Sequence, residues 1–374
     1  MPDGVLMTIG ITGSDGFVGR HVRCLLRARG LTPRLAPRDV FDDAAALAAF
    51  VDGLDAVVHL AGVNRAPDAE LFARNVALAD SLVAACEATG ATPHVLFASS
   101  THTERATPTA YGEGKAEAAL RLAAWAGRAG GAVTTFVVPH VFGEYGRPHY
   151  NSAVATFAHQ LAHREEPVVH QDAPLEQLHA QDLAEALVDA AGEGASGATT
   201  KRLAGHPTTV VEVLDELRGM DATYRGGVIP SVSDPFRLRL FNTYRSFLYP
   251  DHYPVAVPLH ADARGHLFET VKAGSGGQCF VSTTHPGITR GNHFHRFKVE
   301  RFFVLSGTAS IRIRPVLEAE PREFVVSGDA PCYVDIPTLQ THNITNVGSG
   351  ELVTLFWAHE FFDPERSDTY FEDV

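Results

Sequence analysis

Cysteine is scarce. The 374 residues hold four, Cys24, Cys86, Cys279 and Cys332, and no two form a CxxC pair. That spacing excludes a disulfide framework and suits reduced, mostly buried thiols. Long apolar runs are also missing: none reaches the roughly 20 residues that span a bilayer, so no membrane insertion is expected. Positive charge is in deficit, with 31 Lys and Arg against 44 Asp and Glu and a net charge of −13. No nucleic acid or anionic membrane is expected as a partner. A phosphorylated small molecule stays open, because a few local basic groups and a helix N-terminus suffice to hold one. The chain shows no basic stretch followed by a signal-type apolar core, and the cytoplasm is the expected compartment.

What is present divides into two textures, as the length favours. From Leu6 to about Ala195, short apolar runs ending in Gly, Ser or Pro alternate with amphipathic stretches, as in "LMTIGITG", "FVGRHVRCLLRARG", "DAVVHLAG" and "AELFARNVALADSLVAACEATG". Strand–helix alternation of this kind predicts a doubly wound parallel sheet, an α/β Rossmann-like domain. From about Tyr253, runs such as "QCFVSTT", "ERFFVLSGTASIRIRPV" and "ELVTLFWAHEFF" are separated by Gly, Pro, Asn and Asp. That predicts an all-β sandwich or barrel. The expected domains are 1–248 and 249–374.

Gly13, Gly16 and Gly19 form GxxGxxG between a strand and a helix, where a turn approaches a pyrophosphate and the helix N-terminus stabilises it. Phe17 opens that helix. Leu60, Ala61 and Gly62 end the "DAVVHLAG" run and would line the adenosine side. "YGEGK" puts Tyr111 and Lys115 four apart, on one helix face. A Lys one turn from a Tyr lowers the phenol pKa and holds a nicotinamide ribose, and Ser100, eleven residues earlier, is placed to hold a substrate carbonyl. The bland alternative is a surface helix pair. Arg34 and Arg38 follow the glycines by about twenty residues; Arg38 against a 2′-phosphate predicts NADPH, with Asp39 as the rival reading for NADH.

These residues resemble the extended short-chain dehydrogenase/reductase family. The resemblance implies Tyr111 as general acid/base, Lys115 as its partner, and Ser100 as orienting donor with Ser99 as the fallback. It also matches Asn75 to the family's helix Asn, and puts His140, where relatives carry Asn, beside the sugar pocket.

In the second texture, "GNHFHRFKVE" carries His293, His295 and Glu300, and "DIPTLQTHNITN" carries His342. Imidazole and carboxylate suit Zn²⁺, Fe, Mn or Ni. Both halves resemble the two motifs of the cupin fold, a jelly-roll barrel. "DARGHLFE" (Asp262 to Glu269) and "GITRGNHFH" further resemble the sugar 3,5-epimerases, which implies His293 as base and Arg290 at the substrate. Those enzymes have no metal ligands, carry Gln at the place of His295, and place a Tyr acid near "LFWAHEFF", where this chain has Phe356 and Trp357. Lys298, a zinc-bound water or solvent would supply the acid, and His293 is base or ligand.

The whole chain resembles one family, the bifunctional capsular-polysaccharide enzymes with an N-terminal reductase and a C-terminal zinc cupin. "RPHYNSAVATFAHQLA", with Asn151, "LFNTYRSFL" and "FFDPERSDTYFEDV" carry the likeness besides the motifs above. It implies a UDP-linked 4-keto-6-deoxy N-acetylhexosamine as substrate, Asn151, His140, Arg290 and Lys298 as its contacts, NADPH and Zn²⁺ as cofactors, and a homodimer. The rival readings are a single-function reductase with a structural cupin, a dehydrogenase fused to a cupin dioxygenase, and a non-catalytic NADPH sensor.

Overall fold

In a computed structural model, residues 7–263 and 265–374 are described. Leu6, taken as the start of the first strand, and Arg264 of "DARGHLFE" lie outside the described residues. The helices are α1 (Phe17–Ala28), α2 (Ala44–Val51), α3 (Asp68–Thr89), α4 (Ala110–Ala129), α5 (Ala153–Ala162), α6 (Ala180–Ala191), α7 (Val210–Arg225) and α8 (Pro235–Leu248). Among the described residues two compact units form, one from 7–141 and 175–207, the other from 142–174 and the described residues after 207. The boundary expected at 248 therefore falls inside the second unit.

The first unit is built on a six-stranded parallel sheet. Its order is Arg34–Leu35, Ile9–Thr12, Ala56–His59, His94–Ala98, Ala132–Val137, Gly197–Arg202. The four central strands are buried on both faces because helices cover both, whereas the edge strands Arg34–Leu35 and Gly197–Arg202 are largely exposed. Val57, Val95 and Val133 pack with Leu82 of α3 and Leu122 of α4, while Ile9, Ile11, Val58 and Leu96 pack with Leu25 of α1 and Leu187 of α6. Chain order reverses between Ile9–Thr12 and Ala56–His59, and at such a switch point a crevice opens at the carboxyl ends of the strands.

The second unit is rich in antiparallel strands. One five-stranded sheet runs Val255–Ala256, Cys332–Ile336, Glu300–Ser306, Leu352–Ala358, Gln278–Thr284. The other runs Arg322–Ser327, Thr308–Pro315, Gln340–Asn346, Thr289–Phe294, Tyr370–Phe371. Residues of both sheets, among them Phe302, Ile311, Ile313, Ile344 and Phe356, meet in one core. Helices α5, α7 and α8 form a second core with Val299 and Trp357. A buried polar knot ties them to the strands. Asp335 accepts from Arg301 at 2.7 and 2.9 Å and from the Tyr224 hydroxyl of α7, and Tyr224 meets Tyr253 at 2.7 Å. Arg245 of α8 donates to the carbonyl of Ile336 at 3.0 Å. These long-range partners are why α7 and α8 join the strands despite preceding residue 249.

Candidate functional site

The glycine turn lies in the switch-point crevice. Gly13 has φ +69°, and a Cβ there would lie 2.8 Å from Ala61 N, so only glycine lets the ends of the two central strands converge. Gly16 donates its N–H to Gly13 O at 3.0 Å and precedes α1, whose first turn holds no acidic residue and no side-chain cap. Its orphan N–H groups suit an anion. Phe17 is half-buried, edge-on to His21 at 5.3 Å, and Gly19 is buried in α1. Below the turn, Thr12 Oγ1 meets Nδ1 of the buried His59 at 2.8 Å and accepts from Ala61 N at 3.2 Å. Burial and the nearby Lys115 charge push the His59 pKa down to about 3, so that ring is neutral.

Thr109 caps α4 by accepting from Gly112 N at 3.1 Å, which brings Tyr111 and Lys115 onto its first turns. Lys115 is buried, donates to Ala98 O at 2.9 Å and lies 4.7 Å over the Phe97 ring. Burial lowers its pKa to about 8. Gly62 sits opposite: a Cβ there would lie 3.2 Å from both Lys115 Nζ and Asn75 Oδ1. Asn75 braces the same loop, donating to Val63 O at 2.8 Å. Ser100 follows the His94–Ala98 strand and accepts from His102 N at 3.2 Å. Burial raises the Tyr111 pKa, and the Lys115 ammonium donates to Ala98 O.

Sequence reasoning missed His102. Its ring lies edge-on to Tyr111 at 5.4 Å and 6.4 Å from His140, and its Nδ1 is buried without a hydrogen-bond partner. Burial, then Arg105, lowers the pKa of both imidazoles. No periodicity or motif spacing flags a residue that reaches its neighbour through a 3₁₀ turn. Arg38 is exposed beyond the Arg34–Leu35 strand, whereas Arg34 is committed to the carbonyls of Phe50 and Asp52 at 2.9 and 2.6 Å.

In the second unit, His293, His295, Glu300 and His342 converge, with their ligand atoms all within 4.8 Å of one another. His293 and His342 are cross-strand neighbours, and a register shift between Gly291 and His293 turns the strand at that point. Nδ1 of His295 lies 2.6 Å from Asp368 O, and Nδ1 of His342 lies 3.1 Å from Gln340 O. A carbonyl only accepts, so both Nδ1 atoms donate and neutral rings turn lone pairs on Nε2 toward the centre. Those atoms lie 2.9 and 3.6 Å from Glu300 Oε2, also an acceptor. Nε2 of His342 is buried without a hydrogen-bond partner. A proton on Nε2 of His295 makes that contact a hydrogen bond to Glu300; once it is lost, imidazole nitrogens and a carboxylate face one point, a donor set that fits a divalent metal.

The charges agree. Burial opposes ionisation of Glu300, yet the His295 and His342 imidazoles hold its carboxyl well below the usual range. Burial and the other two rings push the His293 pKa down to about 3. Of the expected substrate contacts, Arg290 is held against Thr284 Oγ1 and Thr283 O, both at 2.9 Å, and Asn151 is exposed just before the Ser152 cap of α5. Lys298 is buried and donates to Ser367 O at 2.9 Å, which commits the candidate acid to the C-terminal segment.

Two family descriptions match the chain. The NAD dependent epimerase/dehydratase family matches residues 9–203, and the polysaccharide biosynthesis C-terminal domain matches residues 260–370. The chain is 32% identical to a UDP-2-acetamido-2,6-beta-L-arabino-hexul-4-ose reductase of Pseudomonas aeruginosa, over 97% of this chain and 98% of that one. It is similar to the crystal structure of the capsular polysaccharide assembling protein CapF from Staphylococcus aureus, with 32% identity, a TM-score of 0.61, and 98% of this chain and 100% of that one covered. A UDP-N-acetylglucosamine 4-epimerase from Methanobrevibacter ruminantium, 18% identical with a TM-score of 0.55, covers 65% of this chain and 98% of its own and shares the fold. The chain thus belongs to the epimerase/reductase family of capsular polysaccharide biosynthesis, with an extended short-chain dehydrogenase/reductase domain at its N-terminal end.

Proposed function

We propose that the chain is a bifunctional nucleotide-sugar enzyme. A zinc cupin, in the part of the chain after residue 248, epimerises C-3 of a UDP-2-acetamido-2,6-dideoxy-hexos-4-ulose. The Ser100–Tyr111–Lys115 site then reduces the C-4 ketone with NADPH, giving UDP-N-acetyl-6-deoxy-L-talosamine or a close relative for a capsule or surface glycan. The carrying observation is the full-length, 32% identical relative whose name is that of a UDP-hexulose reductase, joined to a chain that keeps Ser100, Tyr111 and Lys115. A cytoplasmic homodimer is the setting that goes with this reading.

The order of steps follows from acidity. A C-3 proton is removable only while C-4 is a ketone, so epimerisation precedes reduction. Zinc held by His295, Glu300 and His342 would supply positive charge for the enolate oxygen. His293, the half-buried member, completes the ligand set or takes the C-3 proton. Arg290 binds the substrate. In the reductase half, the Gly13–Gly19 turn and the N–H groups of α1 hold the pyrophosphate, with Phe17 and Leu60–Gly62 about the nucleotide. Arg38 takes the 2′-phosphate, and Lys115 holds the nicotinamide ribose. NADPH would supply the hydride to C-4. Ser100 orients the carbonyl, Tyr111 gives its hydroxyl proton to the C-4 oxygen, and His140 and Asn151 contact the sugar nucleotide.

The test is incubation with the UDP-4-keto-6-deoxy-N-acetylhexosamine epimers and NADPH, with product configuration assigned by NMR. Deuterium should enter C-3 from D₂O without NADPH. Exchange that is absent while reduction proceeds leaves a single-function reductase, and reduction that is absent with every epimer sinks the proposal. Replacing Tyr111 by Phe should cut reduction about 10²–10⁴-fold and spare the exchange.

A further inference from the structure

Asp368 makes four contacts with the segment that carries His295. Its carboxylate accepts the backbone N–H groups of Arg296 at 3.1 Å and of Phe297 and Lys298 at 2.8 Å each. Its own carbonyl accepts from His295 Nδ1 at 2.6 Å. Both acceptors reach the same segment because Asp368 has φ 36°, a left-handed conformation that non-glycine residues rarely adopt. Its neighbours fix it there. Ser367 O accepts from Lys298 Nζ, Tyr370 and Phe371 pair with Phe294 and His293, and Glu372 N donates to Asn292 O at 3.0 Å. Residues 367–372 are thereby tied to residues 292–298, which hold two of the four converging ligands.

Anchoring alone does not require an unfavourable backbone at one residue. Strain of this kind points to a role for the geometry it produces. We propose that Asp368 is a positioning residue for the metal centre. Its carboxylate holds the 296–298 backbone, and its carbonyl fixes His295 as the Nδ1–H tautomer with Nε2 turned to Glu300. The proposal rests on the metal-centre reading above. It adds that the centre is completed by a residue 68 positions beyond Glu300, outside both ligand motifs.

The test uses the full chain and Zn²⁺ or Co²⁺ alone. Asp368→Gly keeps the left-handed backbone accessible and deletes the clamp. Asp368→Asn keeps the shape and sets an amide donor against backbone donors. Thr369→Val, next in the segment and out of contact with His295, is the control. Zinc affinity by chelator competition should fall about 10–100-fold in both Asp368 variants and stay within about twofold in the control. The d–d spectrum of the cobalt-loaded protein should change in the Asp368 variants only. Wild-type affinity and spectrum in both Asp368 variants would overturn the role of Asp368, as would an equal loss in Thr369→Val. Failure of the wild-type chain to bind either metal would instead sink the metal centre, and the positioning role with it.

Discussion

Nε2 of His295 lies 2.9 Å from Oε2 of Glu300, while Nδ1 of the same ring is committed to Asp368 O. A cation among these acceptors should bind to the folded chain alone. Zinc at a hundredfold excess over its dissociation constant should stabilise it by about 2.7 kcal/mol. In Glu300→Gln that gain should disappear, because the only carboxylate of the set is gone. Thermal scans with and without zinc check this, and an undiminished shift in Glu300→Gln would remove Glu300 from the site.

Lys115 gives a pH signature in the cofactor-free protein. Burial lowers its pKa from 10.5 to about 8. The unfolded chain therefore holds a proton between those values that the folded chain has lost, so stability rises with pH over this window and the cost of the buried charge is fully present below it. Lys115→Met should relieve that cost, on the order of 2–3 kcal/mol near pH 7, and flatten the rise. Urea unfolding at pH 7 and pH 9.5 reads both, and the same variant should lack reductase activity.

Arg38 should distinguish the two nicotinamide cofactors. If the proposed NADPH site holds, Arg38→Ala would lose charge-assisted bonds to the 2′-phosphate, about 1.5–3 kcal/mol, and KM for NADPH should rise about 10–100-fold with little change for NADH. A wild-type chain that prefers NADH would move the role to Asp39.

Asp335 should be among the costliest residues to truncate. Asp335→Ala leaves Arg301, 1% exposed, without its counter-ion, and removes the carboxylate partner of Tyr224. The expected loss is about 3–5 kcal/mol in equilibrium unfolding. Pairing Asp335→Leu with Arg301→Met should cost much less, since the desolvated charges leave together.

Much of the architecture is legible in the sequence because it is periodic. Buried parallel strands read as apolar runs, and the antiparallel strands are marked off by Gly, Pro and Asn. Motif residues with local spacing, such as Tyr111 and Lys115 on one helix, follow from geometry alone. What spacing cannot carry is contact between distant segments. His102 meets Tyr111 through a turn, Lys298 is spent on Ser367, and Asp368 reaches back to His295 across more than seventy residues.

The interleaving of the two compact units has a consequence for synthesis. Residues 142–174 leave the ribosome before the first unit has its last strand, Gly197–Arg202, yet they pack with residues after 208. Helix α5 therefore emerges before α7 and α8, the helices it packs against. A gene cut after codon 248 would divide Tyr224 and Arg245 from Asp335 and Ile336 and yield two chains that each lack part of a core.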